Sequence, residues 1–220
     1  MIQVPSLTPA EALPELMHRL RNPLAALRAG VSLLQHTLTL DGEASRLLDE
    51  MAREVGRLDA MTRETQRFYH LSAGRPERIH VAEAAREAWA ALGCSVSGAA
   101  MEVEFVGDAE EEVIVDRDHL LFSLGELMAN ANRQAPGSRL RVSWRRTGAN
   151  RLAVDVSDSG PGIPAAHVGE IGTPYFTTSQ ERTGLGLATV AKVCQLAGGA
   201  LRWSNLPGGG CRFMMELPIG

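Results

Sequence analysis

Leu152-Ala153-Val154-Asp155-Val156, followed by Asp158-Ser159-Gly160-Pro161-Gly162-Ile163, is the stretch from which the fold of this 220-residue chain is read. The mostly apolar first part reads as a strand, and the acid and closely spaced glycines mark the turn that ends it. Gly and Pro explain a tight turn on their own. They also leave bare backbone beside a carboxylate, which suits a site where the chain approaches a flat ring. About twenty residues on, Thr183-Gly184-Leu185-Gly186-Leu187 opens a helical pattern that runs to Ala197. Backbone amides at a helix start receive phosphate. A lone Gly-x-Gly is weak, but the two motifs in succession point to a nucleotide pocket. A buried carboxylate such as Asp158 can accept a hydrogen bond from an exocyclic amine like adenine's, and a site built around such a bond rejects bases that lack the donor.

The same texture extends to both sides of this stretch. Val81 to Leu92 reads as an amphipathic helix, Met101 to Val106 and Val113 to Val115 as strands, and Arg117 to Ala135 as a helix. Leu140 to Trp144 is a strand turning near Gly148-Ala149-Asn150 into the quoted one. Ala200 to Ser204 and Arg212 to Leu217 form a last hairpin through Pro207-Gly208-Gly209-Gly210. The Gly208–Gly210 run and the Glu110–Glu112 run read as solvated turns. Helices interspersed with hairpin strands predict an α+β sandwich, one mixed sheet with helices on one face. Within the 117–135 helix, Glu126, Asn130 and Arg133 fall on one face. A carboxylate and an amide oxygen are hard ligands for Mg²⁺, and an arginine holds phosphate. Read alone, the trio is equally a solvated face. Pro164 to Thr183, carrying Tyr175-Phe176-Thr177-Thr178-Ser179, is a long irregular segment of the kind that forms a lid, or else a loose surface loop.

Residues 9 to 72 differ, with many Leu, Ala, Arg and Glu and few β-branched residues. Thr8-Pro9 reads as N-cap and first helical residue. Apolar residues recur at Leu13, Met17, Leu20, Leu24, Leu27, Val31 and Leu34, and after a break at Asp41-Gly42 a second stripe follows at Leu47, Met51, Val55, Leu58, Met61 or Thr62, Thr65 and Phe68. Two long helices joined by a short turn make an antiparallel hairpin, whose stripe is best buried by a second copy in a four-helix bundle. Packing on the rest of its own chain is the alternative. His18 lies beside the stripe, and Pro23 five residues later breaks a backbone bond and kinks the helix. That geometry is either made for the histidine or absorbed by the bundle. Leu71 to Pro76 reads as a linker, so the domains expected are 1–73 and 74–220.

A composition of 45% hydrophobic and 22% charged residues fits a globular domain or two. A net charge of −4 gives no basic surface for nucleic acid. Cys94, Cys194 and Cys211 lack metal-ligand spacing and read as reduced thiols of a cytoplasmic protein. No apolar run reaches the roughly 20 residues that span a bilayer, and no signal peptide is read.

The ordered set His18-x-x-Arg21-Asn22-Pro23-Leu24, Glu126-x-x-x-Asn130-Ala131, Asp158-x-Gly160-x-Gly162-Ile163, Tyr175-Phe176-Thr177-Thr178 and Gly184-Leu185-Gly186-Leu187 resembles the sensor histidine kinases of bacterial two-component systems. The resemblance covers about residues 9 to 217 and includes the H, N, G1, F and G2 boxes of that family. It implies a dimerisation and phosphotransfer hairpin followed by a Bergerat-type ATP-binding sandwich. By that resemblance His18 is the phosphoacceptor, Asn130 coordinates Mg²⁺ with Glu126 close by, and Arg133 contacts phosphate. Asp158 binds adenine in a pocket shaped by Gly160 and Gly162. Tyr175 and Phe176 belong to the lid, Gly184 and Gly186 face the phosphates with Thr183, Leu185 and Leu187 around them, and Asn22 sits where the family places a residue tied to phosphatase activity. A homodimer and a response-regulator receiver domain are the implied partners.

Two departures stand out. The family has Glu or Asp directly after the histidine, commonly assigned as the base acting on the imidazole; here Arg19 stands there, and arginine cannot be a base. Its charge favours a neutral imidazole, which a nucleophile requires, and could attract the γ-phosphate. Only 17 residues precede His18, so the expected input is a separate sensory protein unless the chain is a truncated core. The competing readings are a dimeric adaptor on a degenerate kinase fold, and an ATPase or serine kinase on the same nucleotide fold.

Overall fold

In a computed structural model of the chain, residues 9–37, 41–93, 102–179 and 182–219 are described, residues 9–15 and His18 by their backbone alone. Two long helices come first, α1 (Pro9–Thr37) and α2 (Gly42–His70). Thr8, the expected N-cap of α1, lies outside the described residues. Pro23 sits inside α1 without ending it: the helix is continuous over 29 residues. Asp41 starts α2 by capping, its side chain accepting from Ala44 N at 2.8 Å and its carbonyl from Ser45 N at 3.0 Å. Gln35 Nε2 reaches Asp49 at 2.8 Å and Arg28 faces Asp59 at 3.6 Å, tying the antiparallel pair together along its exposed edge.

The hairpin buries only part of its stripe. Leu24, Val31 and Val55 are buried, as are Thr62 and Thr65. Leu20, Leu27 and Leu34, each seven residues from the next, stay 40%, 54% and 42% exposed, and Leu47, Met51 and Leu58 are about half exposed.

The remaining elements are β1 (Glu77–His80), α3 (Val81–Gly93), β2 (Glu102–Val106), β3 (Glu112–Val115), α4 (Arg117–Gln134), β4 (Arg139–Gly148), β5 (Arg151–Asp158), a 3₁₀ turn at Ala165–His167, α5 (Gly186–Leu196), β6 (Ala200–Asn205) and β7 (Cys211–Pro218). Five strands form one mixed sheet in the order β2-β4-β5-β7-β6, with β2 and β4 parallel and the rest antiparallel. β1 and β3 pair separately as a two-stranded sheet. β1 falls between the linker read at Leu71 to Pro76 and the helix read from Val81, in a stretch to which the sequence reading assigns no element. α5 begins at Gly186, two residues later than expected, which leaves Gly184 outside the helix.

Alternation along the central strands sets the layers. Leu140, Val142 and Trp144 of β4, Leu152, Val154 and Val156 of β5, and Phe213, Met215 and Leu217 of β7 face the helices. They pack under Ala84, Ala85 and Ala88 of α3, Leu120, Leu124 and Leu127 of α4, and Val190 and Val193 of α5. The other sheet face carries cross-strand ion pairs, Arg139–Glu102 at 3.4 Å, Arg141–Glu104 at 3.7 Å and Arg212–Asp155 at 3.6 Å. Asp155 is buried on that face, and burial raises its carboxyl above the usual range against the pull of Arg212. The linker is anchored as well. Arg75 N donates to Asp116 at 2.8 Å, and Asp116 also caps α4 through His119 N at 3.2 Å.

The chain divides into two compact units: residues up to His70 together with Thr177–Leu185, and Leu71–Phe176 together with Gly186–Gly220.

Candidate functional site

In the second unit, β5 ends on Asp158, on the helix-facing side of the sheet opposite Leu140. Its carboxylate is 6% exposed and already organised by protein donors. Oδ1 accepts from Gly160 N at 2.9 Å and from Cys211 N at 3.4 Å, and Oδ2 accepts from the Cys211 thiol at 3.0 Å. Burial and the neighbouring Asp158 carboxylate push the Cys211 thiol far above its ordinary pKa, so it stays protonated and donates. Two oxygens carry about four acceptor directions, which leaves room for one more donor.

The loop after Asp158 permits no side chains at its glycines. A Cβ on Gly160 would lie 2.8 Å from the Ala135 methyl at the end of α4. Gly162 has φ +78, and a Cβ there would lie 2.9 Å from Asn205 Oδ1. Ile163 N donates to that same oxygen at 2.7 Å, and Asn205 Nδ2 donates to Ile163 O at 2.9 Å. Gly210 carries the same restriction from behind, since a Cβ on it would stand 2.0 Å from Asp158 O. The Gly208–Gly210 run is therefore not merely a solvated turn: Gly210 is buried against the Asp158 loop.

On α4, Glu126 and Asn130 are half-buried and Arg133 is exposed. Glu126 meets the start of α5 within the same unit: a Cβ on Gly186 would lie 2.4 Å from Glu126 Oε2. The carboxylate of the Glu126–Asn130 face thus adjoins the backbone of Gly186, with Leu187 next on α5. Among the described residues no three His, Cys, Asp or Glu side chains come together as a metal site.

The segment between the glycine motifs has more order than a loose loop. His167 N, Glu170 N, Ile171 N and Thr173 N each close a turn onto a carbonyl three or four residues back. Trp203 Nε1 donates to Val168 O at 3.2 Å, and the His167 and Phe176 rings lie 5.4 Å apart. Tyr175 is about half exposed and holds φ +69, a left-handed conformation that a bulky residue adopts only when its neighbours impose it.

In the first unit, α1 carries His18, Arg19 and Asn22. Arg19 and Asn22 are exposed, and the His18 side chain lies outside what is described. Thr183, Gly184 and Leu185 also fall in this unit. The Thr183 hydroxyl donates to the Glu64 carboxylate of α2 and accepts from Leu185 N at 3.2 Å, and Gly184 has φ +71. Glu64, Ala135, Asn205 and Cys211 are the contacts that sequence reading does not place at a site, Cys211 being read there only as a reduced thiol. Only Cys211, directly after a glycine run, carried a visible signal.

Two family models match the chain. Residues 10–74 match the His Kinase A (phospho-acceptor) domain, and residues 115–220 match the Histidine kinase-, DNA gyrase B-, and HSP90-like ATPase. Sensor histidine kinase ZraS of Klebsiella oxytoca is 30% identical over 205 residues, covering 92% of this chain and 44% of that protein. Sensory histidine kinase/phosphatase NtrB of Rhodobacter capsulatus is 28% identical over 217 residues, covering 93% and 60%. The chain thus spans about half the length of these relatives. Full-length ShkA, solved in complex with AMPPNP, aligns with a TM-score of 0.81 at 21% identity over 97% of this chain and 46% of that one. ThkA, solved in complex with the response regulator protein TrrA, aligns with a TM-score of 0.69 at 20% identity over 94% and 60%. These likenesses show the fold.

Proposed function

This chain belongs to the sensor histidine kinases of two-component systems, and from that membership we propose that it is an ATP-dependent protein-histidine kinase. It phosphorylates its own His18 and passes the phosphoryl group to an aspartate of a response-regulator receiver domain. The observation that carries the reading is the buried Asp158 carboxylate. Its neighbours Gly160 and Gly210 have no room for a Cβ, and it lies in one unit with the Glu126–Asn130 face and the start of α5.

Asp158 accepts the adenine amino group in the direction that its three protein donors leave open, while Gly160 and Gly162 let the ring lie against the backbone. A carboxylate and an amide on one helix face form the partial oxygen set with which proteins hold Mg²⁺ beside substrate phosphates, so Glu126 and Asn130 fit that ion. When bound, Mg²⁺ neutralises charge across the phosphates. Arg133 and the amides from Thr183 to Leu187 hold the phosphate chain, and Tyr175 and Phe176 belong to the lid over it. The neutral His18 imidazole attacks the γ-phosphorus: a P–N bond forms as the bond to the ADP oxygen breaks. Arg19 draws the γ-phosphate by charge without serving as a base. Asn22, four residues after His18 on α1, stands where the family places a residue tied to phosphatase activity, in which water rather than a histidine takes up the phosphoryl group.

The protein works as a homodimer. The heptad of Leu20, Leu27 and Leu34 and the exposed Leu47, Met51 and Leu58 supply the seam of a four-helix bundle. We assign residues 1–73 to dimerisation and phosphotransfer and 74–220 to nucleotide binding, with input from a separate signalling protein. Among the described residues no helix is long and apolar enough to cross a membrane. The cytoplasm, where ATP and receiver domains meet, is the proposed compartment. Acid-labile, alkali-stable phosphate on the chain after incubation with ATP tests the reading. Acid-stable phosphate would point to serine chemistry, and no phosphate at all to an adaptor, the alternative that Arg19 favours.

A further inference from the structure

The β6–β7 turn grips the Asp158 loop at both of its ends. At one end Cys211 brings its amide and its thiol to the carboxylate. At the other, Asn205 forms a two-way amide pair with Ile163, at 2.7 Å and 2.9 Å. Such a pair copies a strand bridge and fixes both the position and the tilt of the residue it holds. Leu206 N donates to Gly210 O at 3.0 Å and Gly209 N to Leu206 O at 3.2 Å, so the two ends belong to one closed turn.

Asn205 is an exposed residue whose two side-chain hydrogen bonds both go to one loop residue 42 positions earlier. Little core packing depends on it. What it fixes is the stretch from Gly162 to Ile163, and the Gly162 backbone lies directly against its amide oxygen. Resting on the adenine-nucleotide reading above, we infer that Asn205 is a positioning residue for base selection. It does not touch the base. It holds the Gly160–Ile163 backbone at the height at which a flat ring meets Asp158, and an error of a fraction of an ångström there weakens the one hydrogen bond that tells adenine from guanine.

The test is calorimetric titration of the full chain with Mg·ATP and Mg·GTP, for the wild type, Asn205→Ala and Asn205→Asp. The two nucleotides carry the same phosphates, so their affinity ratio cancels any effect of the new charge in Asn205→Asp. Asn205→Ala loses both bonds and is expected to weaken ATP binding about tenfold while GTP binding changes little. Its labelling rate at saturating ATP stays within about twofold of wild type, since the reacting groups are untouched. Asn205→Asp keeps the acceptor for Ile163 N but sets a carboxylate oxygen against Ile163 O, and is expected to lower the ATP/GTP affinity ratio as well. It also carries the test if Asn205→Ala does not fold. A wild-type ATP/GTP ratio in the variants overturns the inference, even if their stability falls. A wild type that shows no preference for ATP overturns the adenine reading itself and the inference with it.

Discussion

Asp158 meets three protein donors before any ligand arrives, from Gly160 N, Cys211 N and the Cys211 thiol. An amide cannot replace the carboxylate, because its NH₂ would be turned toward one of those donors or toward the incoming amine. Asp158→Asn is expected to weaken ATP binding by about a hundredfold or more in equilibrium titration while the fold persists. Affinity within about threefold of wild type would contradict the assigned role. Arg19 is the other residue with a sharp expectation. If the absent acid is what slows proton handling at His18, Arg19→Glu speeds autophosphorylation by about tenfold or more. An unchanged initial rate means that the neighbour of the histidine does not limit the proposed transfer. Asp158, Gly160 and Gly162 were legible in the sequence because an acid and glycines in a turn announce bare backbone beside a carboxylate. Asn205 and Cys211 were not. Their partners lie 42 and 53 positions away, and only the register of β6 and β7 against β5 brings them together.

At the scale of elements, periodicity located every helix and all the strands of the main sheet, to within a few residues at their ends. β1 escaped because Glu77-Arg78-Ile79-His80 has a single apolar residue to alternate with, and because its partner β3 is no neighbour in sequence. Pro76 and the charges around it read as linker. That linker is fastened at α4, where Asp116 caps the helix through His119 N and accepts from Arg75 N, while Gly74 at φ +66 leaves no room for a Cβ beside it. These hydrogen bonds, chiefly that from Arg75, hold the Asp116 carboxyl below its usual range. Removing the cap with Asp116→Ala should cost about 1–2 kcal/mol in denaturant unfolding near neutral pH. A depressed folded-state pKa means that the contribution is complete above the ordinary carboxylate value and is lost as pH falls through the lower folded value. The wild-type and mutant curves should therefore draw together as the pH falls below the ordinary carboxylate value. A gap that persists there would show that Asp116 acts through packing rather than as a charged acceptor.

For the molecule as a whole, the hairpin is unfinished. Each of Leu20, Leu27 and Leu34 leaves about half its side chain in water, and a fully buried leucine is worth about 1.5–3 kcal/mol. Pairing with a second copy recovers that stabilisation. The chain should run as a dimer in light scattering at micromolar concentration, and Leu27→Asp together with Leu58→Asp should make it a monomer. A wild-type monomer would mean that another surface covers the seam. The sequence stripe made the hairpin legible, but it could not tell Leu24 and Val31, which are buried, from Leu20, Leu27 and Leu34, which are not. The central claim is that this chain moves a phosphoryl group from ATP to His18. Incubation of the full chain with γ-labelled ATP and Mg²⁺, wild type beside His18→Gln, tests it most directly. Acid-labile label on the wild type and none on His18→Gln is the predicted result, and equal label on both proteins would contradict it.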